Sequence, residues 1–116
     1  MANCSQLEIW NPIAPGSKFC AESSADDSDY NSGVRIVPAH GPATQFTKVD
    51  LDPGPSCKAV GDKGYGCRVT VRTGAGATKA TLHAWTELNG VKTNECTWTV
   101  SGASTEKRAT IVLVPA

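Results

Sequence analysis

The sequence predicts an all-β fold: an antiparallel β-sandwich, immunoglobulin-like or jelly-roll-like, of about seven or eight strands, with a closed barrel as the alternative. Three observations predict it. Polar and apolar residues alternate through Cys67–Arg72, Thr81–Glu87 and Asn94–Val100, the period of a strand with one buried face. Asn89-Gly90 separates the last two segments and suits a two-residue type I′ hairpin. The stretches free of Gly and Pro are rich in Thr, Val and Trp, which favour the pleated surface over the helix.

Taken in order, Leu7–Trp10 reads as a short strand broken by Asn11-Pro12 and Pro15-Gly16. Lys18–Cys20 is a second strand, followed by an aperiodic polar stretch from Glu22 to Gly33. Val34–Val37 is a third, ended by Pro38. Thr44–Leu51 is a fourth, in which the opposed parity of Phe46 and Val49 calls for a bulge. Pro53 to Gly66, with two prolines and four glycines, reads as a long loop. After the three alternating segments, Ser104–Arg108 has room for one helical turn. Ile111–Val114 is apolar on both faces, as in a central strand or one covered by a partner. A chain of 116 residues fits a single domain, 1–116, with one core.

A type I′ turn at Asn89-Gly90 pairs Leu88 with Val91, and an unbroken register then pairs Trp85 with Asn94 and His83 with Cys96. Trp85, His83, Cys96, Trp98 and Val100 would share one face. Leu82, Ala84, Glu95, Thr97 and Thr99 would share the other. A three-residue Gly74–Gly76 loop would add Cys67, Val69 and Val71 to the tryptophan face.

Eleven acidic and eleven basic residues cancel. The sequence contains no basic run, which argues against nucleic acid and against anionic membranes. No apolar stretch is long enough to cross a bilayer, and no charged-then-apolar leader is present. Five cysteines favour an oxidising, secreted setting, with Met1-Ala2 an initiator before a mature start near Asn3; a cytosolic chain with buried thiols is the other reading. In the expected register Cys67 and Cys96 lie about two inter-strand spacings apart, roughly 9–10 Å, beyond disulfide reach. The expected bridges are therefore Cys57–Cys67 and Cys4–Cys20, with Cys96 a buried thiol.

Candidate chemistry is sparse. Asp27-x-Asp29-x-Asn31 staggers oxygens as a calcium loop does, but Gly33 falls one position late and no closing Glu follows, so a solvated acidic loop is the plainer reading. His40 and His83 lack metal-ligand spacing, so no transition metal or other cofactor is expected. His83 opposite Cys96 would be a packed pair inside a sheet, with no oxyanion hole or third group to make a nucleophile of it. Among the aromatics, Trp85 and Trp98 read as core. Trp10, Tyr30 and above all Tyr65, between two glycines, are the ligand-binding candidates. These features point to a secreted, non-enzymatic recognition module that binds a glycan or a protein through its loops. Two other readings stand beside it. One is an adhesin, coat or decoration subunit that associates through edge strands, with the C-terminal strand as a homo-oligomer contact. The other is a hydrolase inhibitor presenting Ser56–Cys67.

Overall fold

The computed structural model describes residues 2–5, 7–25, 33–38, 49–51, 56–59, 65–76 and 79–115, with the backbone alone at 25, 33–38, 49–51, 56, 58–59, 65–66 and 115. These residues form ten strands and no helix. They are β1 (Ala2–Asn3), β2 (Glu8–Ile13), β3 (Lys18–Ala25), β4 (Gly33–Pro38), β5 (Val49–Leu51), β6 (Ser56–Ala59), β7 (Tyr65–Arg72), β8 (Lys79–Leu88), β9 (Val91–Ser101) and β10 (Glu106–Pro115). They build two five-stranded sheets. The first has the order β1-β9-β8-β3-β6 and the second β2-β10-β7-β4-β5. Each sheet has two edges, so the barrel alternative is excluded.

The strand count exceeds expectation at two places. Ala2–Asn3 adds a short edge strand, and Ser56–Ala59, expected to be loop, pairs with β3. The sheets are also not wholly antiparallel. β1 runs parallel to β9 and β2 parallel to β10, because the N-terminal segment lines the outer edge of both C-terminal strands, once in each sheet. The β9–β10 connection is a turn with Ser104 at positive φ, and β10 begins at Glu106, so the room for one helical turn over Ser104–Arg108 is not used. Of the Thr44–Leu51 strand, Val49–Leu51 is seen, and the expected bulge lies outside the described residues.

One core joins the two sheets. Phe19, Ala21, Ala80, Leu82, Ala84, Cys96 and Val100 from the first meet Trp10, Ile13, Cys67, Val69, Val71, Ile111 and Leu113 from the second. In β10, Ala109, Ile111 and Leu113 are buried while Thr110, Val112 and Val114 are half-buried. The strand is central as expected, flanked by β2 and β7, which occupy both of its hydrogen-bonding edges.

The hairpin turn matches the sequence. Asn89 and Gly90 both have positive φ, as a type I′ turn requires, and Leu88 pairs with Val91. The register then departs from expectation. Glu87 pairs with Lys92 but Thr86 pairs with Asn94, so Thr93 is the extra residue of a β-bulge. That one residue exchanges the partners of the whole strand. Leu82 now faces Trp98 and Ala84 faces Cys96 on the core side, while His83 pairs with Thr97 and Trp85 with Glu95 on the outer side. The two tryptophans therefore lie on opposite faces. The Thr93 hydroxyl is held 2.7 Å from that of the fully buried Thr86, which also accepts from Asn94 Nδ2 at 2.9 Å.

The Gly74–Gly76 segment joins strands of different sheets and so is not a hairpin loop within one. It is pinned to the β9–β10 turn. Buried Thr73 donates its hydroxyl to the Gly102 carbonyl at 2.6 Å and accepts from the Thr105 amide at 2.8 Å. Gly102 is required there, with φ +102° and a Cβ that would lie 3.1 Å from Thr105 Oγ1.

The disulfides are Cys4–Cys96 and Cys20–Cys57, with Cys67 a buried thiol. The number of bridges matches expectation and both pairings are corrected. Cys4 follows β1, and Cys20 lies on β3 beyond β9 and β8, about three strand spacings or 14 Å away. Cys57 and Cys67 belong to different sheets. Cys20 and Cys57 are direct cross-strand partners, and the Cys4 amide bonds the Thr97 carbonyl beside Cys96. Both edge strands of the first sheet are thus covalently tied to their neighbours.

Candidate functional site

The outer face of the first sheet carries a cluster that the sequence disperses over seven decades of numbering. Glu22 on β3 pairs with His83 on β8, and the bulge brings Glu95 of β9 to the same face. His83 Nδ1 lies 2.9 Å from Glu22 Oε1, and Nε2 lies 2.6 Å from Glu95 Oε2. Each ring nitrogen therefore faces one carboxylate oxygen. The His83 ring sits 4.6 Å from that of Trp85, whose Nε1 donates to Glu87 at 3.1 Å. Lys92 Nζ lies 4.6 Å from the Trp85 ring centroid, a cation–π contact. Trp85 is 4 % exposed, buried on the outer face beneath these polar groups.

This cluster bridges three strands and consumes its own valences. The two ring nitrogens diverge, so Glu22 and Glu95 flank the imidazole on separate sides and no single ion can touch all three groups. Cys96, the expected neighbour of His83, lies on the opposite face and is oxidised, so the two form no pair. Elsewhere among the described residues, Cys20, Cys57 and Glu87 bring ligand-type atoms within 4.8 Å of one another. Both sulfurs there belong to a disulfide, which removes the thiolates a metal would need.

The outer face of the second sheet is different. Alternation along β7 buries Cys67, Val69 and Val71 and turns Arg68, Thr70 and Arg72 outward. On β10, Arg108 pairs with Thr70 and Thr110 with Arg68. Ser5, Leu7, Arg68, Arg108, Ala109 and Thr110 line an open depression of about 370 Å³. Leu7, just before β2, is 63 % exposed and gives the depression an apolar rim. Arg108 bonds Glu106 through Nε and Nη2 at 3.2 and 3.1 Å. Among the described residues no carboxylate bonds Arg68 or Arg72, though Glu106 stands opposite Arg72 on β10.

Of the ligand-binding residues expected from sequence, Trp10 is corrected. Trp10, expected to be exposed, is 4 % exposed and packs on Phe19 with ring centroids 5.9 Å apart, because β2 continues through Asn11-Pro12 and carries it into the core. Tyr65 opens β7 opposite Leu113 and belongs to a sheet, not a loop. Tyr30, His40 and the Asp27, Asp29, Asn31 set lie outside the described residues. The Ser56–Cys67 segment is not closed by a bridge, since Cys57 is bonded to Cys20 and Cys67 is a thiol. The Arg68 and Arg72 spacing, two outward positions on one strand, was legible, but their partner on β10 was not.

No helix among the described residues is long and apolar enough to cross a membrane, and two disulfides fit an extracellular protein. No protein-family model matches the chain, and neither a curated protein nor a solved structure matches it.

Proposed function

We propose that the protein is a secreted, non-enzymatic recognition module that holds a glycan or protein ligand on the outer face of its second sheet. The observation that carries this reading is the depression between β10, β7 and the segment that leads into β2. It offers two guanidinium groups, hydroxyls and an apolar rim together in one open concavity, the mix of apolar wall and a few oriented polar groups that ligand sites use. The polar cluster on the other sheet supports it by contrast, since Glu22, His83 and Glu95 satisfy one another and present no oriented nucleophile. Tied edges on the first sheet suit a rigid scaffold in an oxidising setting.

The same reading takes the sandwich to be of the jelly-roll kind. β4 pairs with β7 and β3 with β8, a nested return. With β9 and β10 set aside, the sheet orders become 1-8-3-6 and 2-7-4-5, a double Greek key. β9 and β10 then intercalate beside β1 and β2, which accounts for both parallel pairs.

The test is a screen of immobilised glycans and candidate proteins with labelled wild type and with Leu7→Asp, which places a carboxylate on the rim at an exposed position. Ligand capture by wild type, abolished in the variant at unchanged melting temperature, is expected. Retained capture, or chemical turnover of the captured ligand, would overturn the reading.

A second reading, an assembly subunit, is favoured by one observation. β2 is an edge strand with Ile9 exposed on it and Leu7 exposed just before it, and Pro12 limits pairing to its first half. A defined oligomer by light scattering, lost in Ile9→Lys, would establish it.

A further inference from the structure

The chain contains four arginines, Arg35, Arg68, Arg72 and Arg108, and the fold assigns all four to adjoining positions of one sheet. Arg108 on β10 and Arg35 on β4 both pair with Thr70 of β7, forming a single row across three strands. Arg68 and Arg72 stand two residues to either side of Thr70 on β7. Arg68 and Arg72 are therefore about 13 Å apart along the strand. Arg108 is a diagonal neighbour of each, at about 7–8 Å between backbone positions. Thr70 is 5 % exposed in the midst of the outward-facing arginines Arg68, Arg72 and Arg108.

Resting on the recognition reading above, we infer that this face binds a linear polyanionic glycan, one that carries carboxylate or sulfate groups at repeated intervals. Guanidinium forks match both anions in a bidentate way that ammonium groups do not, and the spaced arginines suit charges repeated along a chain better than a single anion. Ser5 and Thr110 in the adjoining depression supply hydroxyl partners for sugar hydroxyls. Two other polyanions fit less well. Single-stranded nucleic acid binds by stacking on aromatic side chains, and the described residues of this face carry none. A protein partner needs a desolvated aromatic or aliphatic anchor at the centre of its interface, whereas the centre here is Thr70 amid charge.

The experiment is titration calorimetry of the full chain with a sulfated polysaccharide, a uronate polysaccharide and a neutral polysaccharide, each at two salt concentrations. Duplex DNA and anionic phospholipid vesicles are run alongside. The variants are Arg68→Gln/Arg72→Gln and, as an equal loss of charge from the first sheet, Lys18→Gln/Lys92→Gln. All four positions are exposed, so folding is checked simply by melting temperature. The expected result is salt-dependent binding of the acidic glycans and not the neutral one, weakened at least tenfold in the arginine variant and less than twofold in the lysine variant. Equal weakening in both variants, or equally tight binding of DNA or vesicles, would overturn the inference. Binding of a neutral glycan or a protein, indifferent to the arginines but lost in Leu7→Asp, would overturn it while leaving the recognition reading intact. Absence of any ligand in both screens would remove both.

Discussion

The Cys4–Cys96 bridge encloses most of the chain, and its removal gives the sharpest test of how this fold is held. Its cysteines are 92 residues apart, and the Cys20–Cys57 bridge, at 37, lies wholly inside that span. With the inner bridge intact, 92 less 37 leaves 55 residues for the outer bridge to constrain. On the chain-entropy model that constraint destabilises the denatured state by about 4 kcal/mol. Removing the inner bridge instead costs about 3 kcal/mol, because the outer one already restricts the same residues. Either loss is a large share of the roughly 5–15 kcal/mol that holds a domain of this size folded.

The variants are Cys4→Ala/Cys96→Ala and Cys20→Ala/Cys57→Ala. Alanine avoids burying a hydroxyl at Cys4, Cys20 and Cys96, all fully buried. Urea titration followed by far-ultraviolet circular dichroism reads both stability and slope. The outer-bridge variant should lose about 4 kcal/mol and show a steeper slope, since its denatured chain expands further. A loss under about 1 kcal/mol with an unchanged slope would refute the reasoning. It would mean that the denatured chain is already compact without the bridge.

Four further outcomes follow from the packing. Trp98→Ala should cost about 2–4 kcal/mol, as a half-buried ring packed on the core, and Thr97→Ala on the outer face about 0.5 kcal/mol or less. Deleting Thr93 should prevent stable folding, because it restores the unbulged register and sends the core residues of β9 to solvent, while Thr93→Ala should cost only about 1 kcal/mol. His83→Ala should destabilise by about 1–2 kcal/mol in urea titrations, and adding Glu95→Gln should recover part of the loss by relieving the confrontation of two carboxylates. A thiol reagent should find no reactive cysteine in the native protein and one, Cys67, in unreduced protein unfolded in urea.

The strands were legible because period two is written directly into segments such as Cys67–Arg72 and Thr81–Glu87. The Asn89-Gly90 turn was legible because its residues specify its geometry. The assignment of strands to sheets was not. Gly74–Gly76 has the composition of a hairpin loop, but nothing local distinguishes a hairpin from a crossover between layers. The disulfides failed for the same reason, since they were paired by sequence proximity while the chain between Cys4 and Cys20 leaves the first sheet and returns. Thr93 shows how narrow the margin is. Alternation Asn94–Val100 is equally satisfied in either register, and only the unpaired residue next to the turn decides which tryptophan enters the core. Its signal in sequence is absent, because threonine is an ordinary strand residue.

The candidate site was hidden more deeply, and the cause is a property of sums. A formal charge of zero argues against polyanions only if the charges are mixed over the surface. The fold separates them in part. Glu22 and Glu95 gather around His83 on one sheet, and Glu87 accepts from Trp85 Nε1 beside them. Arg68, Arg72 and Arg108 come from two strands of the other sheet, where Glu106 bonds Arg108 and stands opposite Arg72. Association is governed by the field at the approaching face and not by the molecular total. A neutral protein with segregated faces should therefore show the salt dependence of a basic one toward a ligand that meets only the arginine face, and that dependence should fall with loss of Arg68 and Arg72 far more than with loss of Lys18 and Lys92, although the net charge changes by two in both variants.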